Sequence, residues 1–316
     1  MGRRLSARGT QVTSTAPTLS VPRISVVVAS KVGPPVLDAC LESLADQVRR
    51  LDAEVLVVLP EDRTYAAEAA ARFPWVRVLP EPEQRVPALR ARGVDAARGE
   101  LIAIIEEHCS AREDWLDQAL MAHAAGCYAA VGGPIAHCNY PNLRDWVVYF
   151  CEYHGAMPPA AGGETENLND ANIAYRREVL LRERDLLDEG YWPMVLHGKL
   201  RAAGHRFCAA PEMVVYHRGP FGLRYYLGQR FLFSRAFAGV RARTKPPWWR
   251  LAYLLAAPLL PCLLLWRMVR AVRKSRQAVR PFVLATPLIL IALVVLVAGE
   301  WVGCLFGPGD ALAKVE

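Results

Sequence analysis

The sequence predicts an α/β fold with a mostly parallel sheet, followed by hydrophobic helices near the C-terminus. Three observations carry that reading. Strand and helix patterns alternate four times over about 80 residues. The fourth strand, Leu101–Ile105, runs straight into Glu106, Glu107 and His108. Two long stretches after residue 250 carry no charge.

Ile24–Ala29 (ISVVVA) is a continuous β-branched run, suited to a strand buried on both faces. Pro34 and Pro35 then open a helix on which Val36, Leu37, Cys40, Leu41, Leu44 and Val48 share one side. Val55–Leu59 is the second strand, closed by Pro60, and an alanine-rich helix follows at 64–72. Val76–Leu79 and Val86–Arg98 form the third strand–helix pair. Beyond Trp115 the pattern predicts a helix over 113–125, a strand over 128–133 and an amphipathic helix over Asn142–Tyr153. Residues 155–169 read as a mobile loop. A helix from Arg177 and another over Met194–Ala203, ended by Gly204, lead to short strands at 206–209 and 213–216.

The expected division is a disordered tail over 1–22, an α/β domain over 23–220, a segment rich in arginine and aromatics over 221–245, membrane segments over 246–306 and a tail over 307–316. The 221–245 segment suits a helix lying at a membrane surface, or equally an amphipathic helix packed on the sheet. Leu251–Trp266 gives 16 residues without a charge but contains Pro258 and Pro261; Pro281–Gly299 gives 19. The second, at about 1.5 Å per residue, is about 28 Å long and matches the hydrocarbon core of a bilayer. Basic clusters precede the first segment and separate the two. Keeping both cytoplasmic makes the first segment re-entrant or interfacial, with the C-terminus outside. The expected location is an inner or plasma membrane with the α/β domain cytoplasmic.

The net charge of +7 is concentrated beside those segments. Anionic lipid headgroups are therefore the simpler partner, and nucleic acid is not expected. The eight cysteines are scattered with no CxxC, which fits reduced thiols and excludes a zinc knuckle. No signal-peptide core stands in residues 1–22.

An acidic cluster where a buried strand stops is a way to place a metal at a sheet's carboxyl edge. In an extended segment Glu106 and His108, two apart, share a face and can reach one ion; oxygen and neutral imidazole both suit Mn²⁺. The alternative is a strand end with solvated acids and a hydrogen-bonded histidine.

Five segments in order carry a family resemblance: ISVVVASKV at the first strand, PALRARGVDAARGELI with Arg90 ahead of a Gly-Glu dipeptide, EEH followed by DWL, NDANIAYRR at Asn169–Arg177, and LRAAGHR at Leu200–Arg206 followed by VVYH at 214–217. Over about residues 23–240 the chain resembles family 2 glycosyltransferases of the A-type nucleotide-sugar fold, a Rossmann-like arrangement. The resemblance implies inverting transfer from a nucleotide-sugar donor with a divalent cation, Mn²⁺ or Mg²⁺. It puts Ser30 and Glu61 or Asp62 near the nucleotide base and Arg90 at the nucleotide or diphosphate. Glu106 and His108 fall at the metal, with Glu107 beside them on the donor, and Asp170 and Asn172 face the sugar or acceptor. Two departures stand out. Glu-Glu-His replaces the usual aspartates. The Glu-Asp pair expected before LRAAGHR falls on Trp192 and Pro193, which cannot accept a proton, so Asp188 and Glu189 are the nearest candidates for the catalytic base.

The expected function is a membrane-anchored glycosyltransferase acting on a lipid-linked or cell-surface glycan acceptor. The competing readings are a non-catalytic membrane protein that binds a nucleotide sugar or a partner enzyme, and a transferase acting on polyprenyl phosphate, whose anionic acceptor needs little help from a base.

Overall fold

Alternation of buried strands with one-sided helices builds the first half of the protein. The computed structural model describes residues 21–187, 191–219, 222–243 and 245–315. In it β1 (Ile24–Ala29), α1 (Val36–Leu51), β2 (Glu54–Pro60), α2 (Ala66–Arg72), β3 (Val76–Glu81), α3 (Val86–Ala96) and β4 (Leu101–Ile105) follow one another. The strands lie parallel in the order β3-β2-β1-β4. Every residue of β1, β2 and β4 is buried, as strands covered on both faces require. Leu37, Cys40, Leu41, Leu44 and Val48 of α1 all point into the core. On the other face α3 sits so close that a Cβ on Gly93 would lie 2.3 Å from a Val27 methyl.

Past β4 the chain departs from simple alternation. β5 (Cys109–Ala111), α4 (Trp115–Ala124), β6 (Ala130–Gly132), β7 (Ile135–His137), α5 (Leu143–Tyr153) and β8 (Gly163–Thr165) lead to β9 (Asn172–Arg176). β9 enters the sheet antiparallel between β4 and β6. After α6 (Arg177–Arg182) and α7 (Pro193–Ala202), β10 (Phe207–Ala209) completes an eight-stranded, mostly parallel sheet ordered β3-β2-β1-β4-β9-β6-β10-β8. β11 (Val215–His217) pairs instead with β5 and β7 in a separate three-stranded sheet. The expected mobile loop over 155–169 thus contains an edge strand, β8, paired with β10.

The C-terminal part is helical: α8 (Leu223–Arg243), α9 (Pro247–Ala256), a 3₁₀ turn at Ala257–Leu259, α10 (Leu260–Ser275) and α11 (Val279–Phe306). Pro258 and Pro261 shift the helix into that 3₁₀ turn and do not end it. By length and composition, Pro247–Ser275 and Val279–Phe306 are each long and apolar enough to cross a membrane. Both exceed the runs of 16 and 19 because their ends carry charge.

The expected interface segment, α8, packs on α11. Gly299 and Gly303 let α11 approach the α8 backbone; a Cβ on Gly303 would lie 2.2 Å from the Arg235 carbonyl oxygen. Arg241 donates to Glu300 at 2.5 Å, and the Tyr253 hydroxyl donates to the same carboxylate at 2.7 Å. At its other end α11 rests on α5, where Phe282 meets Phe150 edge to face at 5.0 Å. Leu251, Leu255, Leu259 and Leu263 remain exposed. The last residues, expected as a tail, fold back: Ala311 and Val315 are buried with Ala236 of α8. Residues 1–20 of the expected N-terminal tail lie outside the described residues.

Candidate active site

The acidic cluster stands where β4 stops, but not as an extended segment. The chain turns at once, with the Cys109 amide donating to the Glu106 carbonyl at 2.8 Å. The turn separates the three side chains that a strand would have aligned two by two. Glu106 enters a polar cluster. Arg90, buried on α3, donates to Glu106 at 3.2 Å and to Asp170 on the segment before β9. The Tyr153 hydroxyl, from the end of α5, donates to the other Glu106 oxygen at 2.7 Å. Burial opposes charge on Arg90, yet the Asp170 and Glu106 carboxylates outweigh it and hold the guanidinium firmly protonated. Burial raises the Glu106 carboxyl above its ordinary range against the pull of Arg90. Burial, then the adjacent Glu106 charge, pushes the Tyr153 phenol well up, so it acts as a donor.

Two imidazoles border this cluster. The rings of His108 and His217 are 6.2 Å apart, because antiparallel β5–β11 pairing sets His217 opposite Cys109. The His217 ring also lies 4.7 Å from that of Tyr153. Tyr140 fixes the tautomer. Its hydroxyl donates to the His217 carbonyl at 3.0 Å and therefore accepts from Nδ1–H at 2.6 Å, which assigns the ring lone pair to Nε2. Burial, then His108, lowers the His217 pKa to about 3, so the ring is neutral at physiological pH. A carboxylate and two imidazoles are donors that suit Mn²⁺ in kind. Among the described residues no three His, Cys, Asp or Glu side chains converge tightly enough to enclose an ion. The residues fit such an ion as part of its shell, with the rest left to a ligand and water.

The model of glycosyl transferase family 2 matches residues 25–182, half of the chain. The chain belongs to glycosyl transferase family 2. Solved structures agree on the fold. The mannosyltransferase PcManGT from Pyrobaculum calidifontis, in complex with GDP-Man and Mn²⁺, superposes with a TM-score of 0.54 at 19% identity, covering 88% of this chain and 87% of that one. S. aureus TarS 1-349 in complex with UDP-GlcNAc gives 0.50 at 14% identity, covering 88% and 89%. GalNAc-T7 with UDP, GalNAc and Mn²⁺ gives 0.50 at 12% identity, covering 64% of this chain and 45% of that one. No curated protein matches the chain.

Within this family 2 domain the other sequence-selected residues divide sharply. Glu107 turns away from Glu106 and closes the loop after β1. It accepts from the Ser30 hydroxyl at 2.8 Å and from the amides of Lys31, Val32 and Gly33 at 2.8, 2.9 and 3.2 Å. Gly33, at φ +77°, makes that loop possible; a Cβ there would also strike the Tyr65 ring. Ser30 is fully buried in the same knot, so its hydroxyl faces Glu107 and Tyr65. Glu61 and Asp62 are exposed just past β2, outside the Glu106 cluster. Asn172, expected to face the sugar or acceptor, is fully buried: its carbonyl accepts from the Trp115 indole at 2.7 Å and its amide donates to the Pro134 and Met213 carbonyls. That side chain is occupied internally and braces β9. Asp188 and Glu189 lie outside the described residues.

Tyr153 and His217 were not selected from sequence. His217 had a signal, the histidine closing VVYH, but nothing local ties it to His108 across 109 positions. Tyr153 had none, being one aromatic among several on an amphipathic helix.

Proposed function

We propose that this chain is a membrane-anchored inverting glycosyltransferase that moves a sugar from a nucleotide-sugar donor to a lipid-linked or cell-surface glycan acceptor. The observation that carries the reading is the convergence of Glu106, Arg90, Asp170 and Tyr153 where β4 ends, with His108 and His217 beside them. GDP-Man with Mn²⁺ in the PcManGT structure, and UDP and GalNAc with Mn²⁺ in that of GalNAc-T7, support a donor and cation of the same class. Glu106 and His108 would contribute to the shell of the divalent cation, Mn²⁺ or Mg²⁺, with donor and water oxygens supplying the rest. When bound, it supplies positive charge for the departing diphosphate. Arg90 holds Asp170 and Glu106 in register and offers a second fixed charge at the same edge.

The base that takes the acceptor proton comes from Asp188 or Glu189. Tyr191, two residues on, supports this, since its ring lies 5.8 Å from the Arg90 guanidinium and its amide donates to the Pro87 carbonyl at 2.8 Å. The apolar helices Pro247–Ser275 and Val279–Phe306 support the anchor, with the family 2 domain on the cytoplasmic side of an inner or plasma membrane. A polyprenyl phosphate acceptor is the second reading. It is favoured by α5, which touches Glu106 through Tyr153 and the apolar helix α11 through Phe150.

The test is incubation of the purified full chain with a panel of nucleotide sugars and either Mn²⁺ or Mg²⁺. Thermal stabilisation and nucleotide release are expected for at least one donor, only with the cation. The reading is overturned if no donor binds, or if binding survives simultaneous replacement of Glu106, Glu107 and His108 by alanine. Asp188→Asn and Glu189→Gln, made separately, assign the base; unchanged transfer in both removes it from this pair.

A further inference from the structure

A cavity of about 370 Å³ lies between the end of α5 and α10, and no part of the transfer reading uses it. Its size falls in the range of about 300–1,000 Å³ usual for ligand sites. One wall is the His154 turn with Pro158 and Pro159; the other is α10, which contributes Arg267, Arg270, Lys274 and Ser275. Positions 267, 270 and 274 are three and four apart, so their cations stand on one side of the helix. No acidic residue lines the cavity. Arg270 is steadied over the Trp266 ring at 4.7 Å, and among the described residues none of the three cations forms an ion pair with a carboxylate.

Ser275 adds an independent indication. The residue lines the cavity and is 8% exposed, and its buried hydroxyl has no hydrogen-bond partner. A buried hydroxyl without a partner is costly unless a ligand or water satisfies it. On the facing wall the His154 Nδ1–H donates to the Phe150 carbonyl at 3.0 Å, which holds the ring in place. Three cations on one helix face, a buried donor without a partner and no competing carboxylate describe a receptor for a compact, multiply charged oxyanion.

We propose that this cavity binds the phosphate of a phosphomonoester. Its position on α10, the charged end of an apolar helical stretch, matches the depth of a lipid headgroup. The same chemistry would admit free phosphate. The site is independent of donor binding at Glu106, so each can fail without the other.

The full chain in detergent is tested with inorganic phosphate by calorimetry. In nanodiscs of phosphatidylcholine with or without phosphatidic acid, retained lipid is counted by native mass spectrometry. Selective retention of phosphatidic acid, weakened about tenfold by Lys274→Gln and by Arg270→Gln and less by Ser275→Ala, is expected and names a lipid as the source. Saturable binding of inorganic phosphate with the same variant order, without lipid selectivity, supports the site and names a soluble source. Equal binding of both probes by the wild-type chain and by the Arg267→Gln/Arg270→Gln/Lys274→Gln variant, or no binding of either, overturns the proposal. Unchanged thermal midpoints of the single variants exclude misfolding, because all three cationic side chains are exposed.

Discussion

Glu107 shows how a side chain can sit in the expected motif with a different task. It accepts four hydrogen bonds from one loop, three of them from consecutive amides. Glu107→Ala strands those donors, the Ser30 hydroxyl and the Gly33 amide in buried positions, so unfolding free energy should fall by about 3 kcal/mol, read by chemical denaturation. Glu107→Gln should cost less, since an amide oxygen still accepts. Glu106 behaves differently: Glu106→Gln should lower kcat/KM at least a hundredfold with little loss of stability, and Tyr153→Phe about tenfold. The residue types at the β4 end were legible in the sequence. Their division of labour was not, because it depends on a turn at 106–109 that spacing rules for strands do not describe. Asn172, which the family resemblance set facing the sugar or acceptor, instead spends its side chain on Trp115 and two carbonyls from distant segments.

Among elements, the first four strands and three helices were legible almost residue for residue, since each buries a continuous or one-sided apolar pattern. The second sheet was legible only at β11, expected over 213–216 and found at Val215–His217; its pairing with β5 and β7 was not. β5, β7 and β11 are three residues each, too short to display alternation. β9 was visible only as part of the NDANIAYRR string of the family resemblance, and nothing local in it specifies an antiparallel partner. Close packing between elements gives a sharp test at Gly303. Gly303→Val drives a branched side chain into the Arg235 carbonyl, so α8 must move off α11. The expected result is a loss of about 1–3 kcal/mol, seen as a lower thermal midpoint and faster amide exchange in α8. Gly93→Ala should have a similar cost at the α3–β1 contact, where a methyl would meet Val27.

Over the whole molecule, two buried histidines outside the site set an acid limit. Burial lowers both His123 and His197 to about 4. His123 rests on the Ala174 carbonyl at 3.1 Å, and His197 on the Tyr175 hydroxyl at 2.5 Å. Their folded pKa lies below the ordinary value of about 6.5, so the unfolded chain binds more protons between those limits. Their contribution is fully present above about pH 6.5 and is lost as pH falls toward 4. By pH 5.5 each should cost about 1.4 kcal/mol, and replacing either by Gln should flatten the fall of thermal midpoint with acidification.

One helix also joins the two halves of the protein mechanically. Phe150 and Tyr153 are less than a turn apart on α5, the first wedged against Phe282 and the second bonded to Glu106. A rigid rod gripped at both places passes on any tilt it receives. Turnover should therefore respond to acyl-chain length when the enzyme is reconstituted in lipids of graded thickness, and Phe282→Ala should blunt that response by loosening the grip.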